Sequence, residues 1–367
     1  MFENIIGQNR AINILSNAIK ADKIAQAYIF YGPDGSGKLL TALTFAKIVN
    51  CIDDKKKYSD SSSTCQCSSC NKITQHLHPD VRLFFPIPNF NLNEYGYVKV
   101  KERKEETIKD PDWISYNEYI KAKINQPWKD YEFDKATAIR IEQIRALQQD
   151  ILMSKHEGKK KVYIIENFDT LTHQASNAFL KTLEEPPLDT HFILIVRNID
   201  KILPTILSRC ISIKFSILHS SIIHDYMIKN FAWSEEKASY YAPMVNGSIE
   251  KAINLYHTEN IQLMELSNEL INIIKDKDDL AFISWVEKHF VKGSKKTDLL
   301  RNLLQYLCFW VRDTHVNNVL QNNEKHDNTH YINIIIELNE LLEKQIGNVN
   351  QKLILSQIYY LFNKELA

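Results

Sequence analysis

The sequence predicts an α/β domain built on a parallel sheet, followed by an all-helical remainder. Three observations carry that expectation. Five short apolar runs, rich in β-branched and aromatic residues, alternate with helical patterns up to Phe215. A glycine-rich turn follows the first run and opens a helix. After Phe215 no further strand-like run occurs. Such alternation is what a sheet covered by helices on both faces requires.

The expected strands are Ala27–Tyr31, Val81–Phe85, Val162–Ile165, Phe192–Val196 and Ile211–Phe215. Each is short, apolar and rich in β-branched or aromatic residues, as a doubly covered strand should be. The first long helix starts at the glycine-rich turn and runs toward Val49. A second is expected over Ala138–Met153, with Ile141, Ile144 and Leu147 on one face. A third covers Gln174–Glu185 and stops at Pro186-Pro187, because proline cannot continue a helix. Residues 86–136 interrupt the rhythm and read as an insertion, helical near Asn117–Lys123. Such a segment is either a surface elaboration or a partner or DNA contact through Lys99, Lys101, Arg103 and Lys104, with Glu102, Glu105 and Glu106 diluting that charge. Beyond Phe215 the periodicity is helical over Ile222–Asn230, Ser234–Val245, Ile249–Tyr256 and onward. Residues Leu299, Leu303, Tyr306, Leu307 and Trp310 form an apolar face that suits either a core or a neighbouring subunit. The expected domains are therefore 1–216, 217–260 and 261–367.

Bulk properties narrow the function classes. Lys plus Arg and Asp plus Glu are both 45, so the net charge is zero. That excludes a surface coated with positive charge for bulk nucleic-acid binding. The longest strongly apolar run, Phe192–Val196, is far short of the roughly 20 residues of a membrane span. No basic segment followed by an apolar stretch marks Met1 to Ala11. A soluble, cytoplasmic protein is expected, with no membrane contact.

Gly32-Pro33-Asp34-Gly35-Ser36-Gly37-Lys38 follows an expected strand and opens a helix, the context a phosphate-binding loop needs. Glycines let backbone N–H groups curl around phosphate oxygens, and the helix N-terminus adds a favourable dipole. Gly32, Gly35, Gly37 and Lys38 are thus candidate nucleotide contacts. The next residue should be Ser or Thr, whose hydroxyl ligates Mg²⁺, but here it is Leu39. Thr41 is no substitute, since two helical steps of about 100° turn it away.

The run Val162-Tyr163-Ile164-Ile165-Glu166-Asn167 resembles the second motif of such a site. One carboxylate organises the metal and a second orients the attacking water. Glu166 can supply the first. Asn167 stands where the second should be, and an amide cannot take a proton.

Cys51, Cys65, Cys67 and Cys70 cluster in one stretch, while Cys210 and Cys308 stand alone. In a reducing compartment such a cluster reads as metal ligands before disulfides. Four thiolates suit a structural, tetrahedral Zn²⁺. Free thiols are the alternative, with His76 and His78 as replacement ligands.

Asn177-Ala178-Phe179-Leu180-Lys181-Thr182-Leu183-Glu184-Glu185-Pro186-Pro187 and Leu203-Pro204-Thr205-Ile206-Leu207-Ser208-Arg209-Cys210 resemble the bacterial clamp-loader branch of the AAA+ proteins. Ile5-Ile6-Gly7-Gln8 is similar to its adenine-side segment. The resemblance covers about Phe2–Phe85 and Ile139–Phe215, and more loosely the helices that follow. It implies an AAA+ P-loop domain, a helical lid and a helical collar that joins subunits in a ring. It implies a part in DNA polymerase III, loading a sliding clamp on primer–template DNA with motor subunits and a clamp-opening subunit. The family divides into ATP-hydrolysing motor subunits, of gamma/tau type, and a delta-prime type that usually does not hydrolyse. Leu39, Asn167 and Glu250 favour the second, Glu250 standing where motor subunits carry a nucleotide-contacting arginine. No intrinsic ATPase activity is then expected, and ATP or ADP binding should be weak or absent. Asn198 falls near the family's polar sensor position. Arg209 matches the arginine that reaches into the neighbouring subunit's ATP site, with a local salt bridge as the competing role. The family also carries a zinc module at residues 51–70, with C-x₂-C-x₂-C for its last three ligands; Cys65-Gln66-Cys67 is one residue shorter.

Overall fold

The computed structural model describes residues 2–53, 65–88, 111–125, 138–243, 245, 247–257, 261–290, 299–300, 303–304, 306–308, 310–312, 329–343 and 351–365. They fall into two compact units, Met1–Ile253 and Asn254–Ala367.

In the first unit, β1 (Ala27–Tyr31), β2 (Val81–Phe84), β3 (Lys161–Ile165), β4 (Thr190–Val196) and β5 (Ile211–Lys214) form one sheet in the order β2-β3-β4-β1-β5. Every pairing is parallel. All strand C-termini therefore open on one side, and β4 lies between β1 and β3. Period-two alternation divides the strand side chains between two cores. Tyr28, Phe30, Val162, Ile164, Ile193 and Ile195 pack with Leu15 and Ile19 of α1 (Asn9–Lys20) and Phe45, Ala46 and Ile48 of α2 (Lys38–Asn50). Ile29, Tyr163, Ile165, Phe192, Leu194 and Val196 face the opposite way. They meet Ile144, Leu147 and Phe179, carried by α5 (Ile141–Leu152) and α6 (His173–Glu184). Full burial of such side chains stabilises by about 1.5–3 kcal/mol each. The two edge strands depart from the doubly covered pattern: Arg82 and Leu83 of β2 are half-buried, and in β5 Ile213 is buried while Ile211 and its polar neighbours are exposed.

The short helix α3 (Ser68–Thr74) follows the cysteine stretch. The insertion contains α4, Pro111–Asn125, which extends beyond the expected Asn117–Lys123 on both sides. Tyr116, Tyr119, Ile120 and Lys123 are spaced i, i+3, i+4 and i+7, one face of a helix. Tyr119 packs on Phe85 with ring centroids 4.7 Å apart, and Tyr116 stacks on it at 6.1 Å. This face forms a separate apolar cluster with Phe85 and Ile87 just past β2. The basic stretch Lys99, Lys101, Arg103 and Lys104 lies outside the described residues.

A short helix α7 (Pro204–Leu207) precedes β5, and α8 (Ser220–Phe231), α9 (Glu235–Tyr241) and α10 (Ile249–His257) follow it. The second unit contains α11 (Ile261–Asp276), α12 (Asp279–His289), α13 (Thr329–Glu343) and α14 (Gln351–Glu365). Phe282 stacks on Tyr359 at 4.2 Å, and Leu303, Tyr306 and Leu307 are buried within this unit. Three residues of the apolar stripe expected between 299 and 311 thus serve as core, while Leu299 and Trp310 are half-buried. No helix among the described residues is long and apolar enough to cross a membrane.

The entry to β2 is fixed by Asp80, which is buried. Its carboxylate accepts from the backbone N–H groups of His156, Glu157 and Gly158 at 2.9, 2.8 and 2.6 Å. Burial alone would raise its pKa, but the three donors outweigh that and hold it below the ordinary carboxylate range. Asp80→Ala leaves these donors unmet and should cost about 3 kcal/mol at neutral pH. The depressed folded pKa gives a contribution that is complete above the unfolded value of about 3.9 and is lost as pH falls through the folded value. In chemical denaturation the wild-type and variant curves should therefore converge below about pH 4. A gap independent of pH would contradict this role.

Candidate functional site

The phosphate loop sits where β1 hands over to α2. Gly32 has φ +143°, and a Cβ there would lie 2.1 Å from the carbonyl oxygen of Phe215, so the loop's entry demands glycine. Gly37 caps α2 in the left-handed region at φ +88°. Gln8 fastens the loop to the chain just past β5: its amide donates to the carbonyls of Ser36 and Ser216, and its own carbonyl accepts from Ser216 N–H. Lys38 Nζ donates to the carbonyls of Gly32 and Pro33 at 2.7 and 2.6 Å, folding back over its own loop. Leu39 is buried in the core beneath α2, and the Thr41 hydroxyl donates to the Gly37 carbonyl. Neither presents oxygen to a metal.

Two groups from α10 and its N-terminal turn close on this loop. A Cβ on Gly35 would lie 2.1 Å from Ser248 Oγ and 3.2 Å from Glu250 Oε2. A carboxylate therefore faces the loop that would carry phosphates. Arg197, which leaves the end of β4, pairs with Asp34 of the loop at 2.9 Å. Sequence reading missed this arginine, since only the β1–β4 pairing brings the two together.

Glu166 follows β3, and its N–H donates to the Phe84 carbonyl, so it extends the ladder to β2. Its side chain is largely buried and accepts from Lys123 Nζ of α4 at 2.5 Å. Asn167 adopts φ +50° and starts a turn in which its carbonyl accepts from the Thr170 N–H and hydroxyl. Asparagine tolerates that left-handed conformation better than most residues, a backbone reason for an amide there. Asn198 stands past β4, between the strands bearing Glu166 and the phosphate loop, and its side-chain oxygen accepts from Asp200 N–H at 2.9 Å.

Arg209 lies elsewhere on this unit, between α7 and β5. Its guanidinium donates to the Thr205 carbonyl, to Ser208 Oγ and to Glu184 at 3.0 Å. Both members of the ion pair are exposed, with side-chain exposures of 36% and 51%. The local salt bridge is real and lies at the surface.

Cys51, Cys65, Cys67 and Cys70 place one Sγ each within 4.8 Å of all the others. Cys51 Sγ lies 3.7 Å from that of Cys65 and 4.0 Å from that of Cys67. A tetrahedral ion with sulfur ligands at 2.3 Å implies about 3.8 Å between sulfurs. Cys67 ends one arm of the cluster as the N-cap of α3, and its sulfur accepts from Cys70 N–H at 3.5 Å. The shortened spacing before α3 does not keep the sulfurs apart. Burial pushes the Cys51 thiol up to about 11. On Cys67 burial acts the same way, but N–H donors from Cys70 and Ile52 outweigh it and bring that thiol down to about 7. The donor set fits a metal ion, and His76 and His78 stand outside it.

A five-stranded parallel sheet of this order, with a phosphate loop after β1 and an acidic residue after β3, defines an AAA+-like P-loop domain, here followed by a helical region. The model of the family "DNA polymerase III, delta subunit" matches residues 7–219. The chain belongs to that family, a family of clamp-loader subunits. It is 30% identical to the DNA polymerase III subunit delta' of Bacillus subtilis over 68% of this chain and 59% of that protein. It is 28% identical to the gamma subunit of Buchnera aphidicola from Acyrthosiphon pisum, over 82% of this chain and 71% of the relative. The chain thus spans less than two thirds of the delta' relative's length. A gamma subunit-related protein of Thermotoga maritima superposes with a TM-score of 0.49 and 16% identity, over 97% of this chain and 100% of that one.

Proposed function

We propose that this chain is a clamp-loader subunit of the delta-prime type. It takes its place in a ring with motor subunits and a clamp-opening subunit, and the assembly loads a sliding clamp on primed DNA. The chain does not hydrolyse ATP itself, and it presents Arg209 to the ATP site of a neighbouring motor subunit.

The observation that carries this reading is the Glu250 carboxylate 3.2 Å from the Cβ position of Gly35. Phosphates entering the loop meet a negative charge where a motor needs a positive one. Leu39 and Asn167 compound the defect, because Leu39 has no oxygen to offer a metal and the Asn167 amide cannot act as a base. Gly32, Gly35, Gly37 and Lys38 still form a loop able to take phosphate, so any nucleotide bound there is held weakly and not turned over.

A gamma/tau-type motor subunit is the second reading. It is favoured by the match to the Buchnera gamma subunit, which extends over more of this chain than the delta' match. Steady-state hydrolysis of Mg²⁺-ATP by the purified chain separates the two. The delta-prime reading expects no turnover above background. Turnover abolished by Lys38→Ala would establish a motor.

The four-cysteine cluster holds a structural Zn²⁺ in this reading. Four protein ligands leave no open coordination position, so the ion ties α3 to the end of α2 and takes no part in chemistry.

A further inference from the structure

We propose that Lys123 is a built-in cation: its ammonium takes the place of a divalent ion at Glu166, and this site does not recruit Mg²⁺. A P-loop domain ordinarily brings Mg²⁺ between its loop and the acidic residue after the third strand. The residues here do not fit that ion. Leu39 offers no oxygen, and Glu166 is already engaged by Lys123 at 2.5 Å.

The placement of Lys123 is built, not incidental. It comes from an insertion helix and lies 43 residues from its partner in sequence. Tyr116, Tyr119 and Ile120 hold that helix against Phe85 and Leu83, and Lys123 is the next residue on the same face. Its side chain is 1% exposed and that of Glu166 is 9% exposed. The Tyr119 ring lies 5.6 Å from Nζ and covers the ammonium from one side. A lysine so deeply buried, with a carboxylate as hydrogen-bond partner, is not a solvated surface charge. Two strand spacings, about 9.5 Å, separate the β3 end from the β1 end, so the pair lies on the same sheet edge as the phosphate loop.

An ammonium and a divalent ion compete for one carboxylate. Lysine neutralises Glu166 without bridging it to phosphate as a metal would, because it brings no exchangeable coordination positions. The inference rests on the delta-prime reading, since a motor would need Mg²⁺ at this site, and it does not involve Arg209; the Mn²⁺ titration tests it separately from ATP hydrolysis.

Mn²⁺ is the probe, titrated into the zinc-loaded full chain and followed by loss of the free-ion paramagnetic resonance signal. Hard Mn²⁺ prefers carboxylate over thiolate, so the cysteine cluster does not compete for it. The wild-type chain should show no site tighter than about 1 mM. Lys123→Met should gain a site at least about tenfold tighter, and its melting temperature should rise with Mn²⁺ by mass action. Lys123→Met combined with Glu166→Gln should lose both responses. A pair that merely staples the insertion helix would give no such gain. A wild-type site removed by Glu166→Gln would overturn the proposal, as would folded Lys123→Met without Mn²⁺ binding. If Lys123→Met fails to fold, Lys123→Gln takes its place. If neither folds, the wild-type titration with Glu166→Gln decides alone.

Discussion

Arg209→Ala should leave the subunit folded and the loader assembled, yet depress ATP hydrolysis at the site it serves by about 10³–10⁵. The first half of that expectation follows from the surface position of the residue. Arg209 and Glu184 are both partly exposed, and such ion pairs contribute about 0–1 kcal/mol. Removing the guanidinium leaves no buried group unmet, since its partners are an exposed carboxylate, a hydroxyl and one carbonyl. The second half follows from charge. A guanidinium delivered across a subunit boundary stabilises the phosphoryl group as negative charge spreads over its oxygens. The weak local pairing makes release from Glu184 inexpensive when a phosphate offers a stronger partner. A loader with several ATP sites would keep the turnover of the others, so single-turnover hydrolysis is the cleaner readout. Undiminished hydrolysis in an intact complex would remove Arg209 from this role.

Stripping the metal should be the largest single insult to stability. Apparent binding energies for structural zinc sites reach about 10–16 kcal/mol near neutral pH. Those energies come from small peptides that are unfolded without metal; here the sheet remains, so the loss should concentrate in the cysteine stretch and α3. Cys70 is fully buried and Cys51 nearly so, which makes Cys70→Ser the most informative substitution. Metal analysis of the native protein should return one equivalent of zinc. Chelation or Cys70→Ser should lower the melting temperature by several degrees and open α3 to hydrogen exchange. Ligation requires thiolates, and burial holds the Cys51 and Cys70 thiols above their ordinary values without metal. Zinc affinity should accordingly weaken as pH falls and protons compete for sulfur. A native preparation with well under one equivalent of any metal would leave the cluster as four packed thiols.

Much of the sheet was legible because doubly covered strands advertise themselves. Ala27–Tyr31 is apolar on both faces, and its bounds are as expected; β3 and β4 start one and two residues earlier, at the polar Lys161 and Thr190, while β2 and β5 each end one residue short of the expected Phe85 and Phe215. The phosphate loop was legible because glycines must stand where φ is positive or where a strand approaches, as Gly32 does against Phe215. The cysteines were legible from their chemistry alone. Lys123 was not. A lysine on a helix normally reads as solvated, and nothing local indicates that Tyr116 and Tyr119 press that helix onto Phe85. Arg197 and Ser248 escaped for the same reason, since each reaches the phosphate loop only through tertiary pairing. The i, i+3, i+4, i+7 spacing of Tyr116, Tyr119, Ile120 and Lys123 was the one signal that could have found the buried lysine.

The most direct measurement compares two reconstituted loaders, one carrying Lys38→Ala in this chain and the other Arg209→Ala. With the chain's own loop idle and its arginine at work next door, the lysine variant should hydrolyse ATP at the wild-type rate while the arginine variant slows. Loss of activity on Lys38→Ala, with Arg209→Ala unaffected, would mean that this subunit is a motor after all.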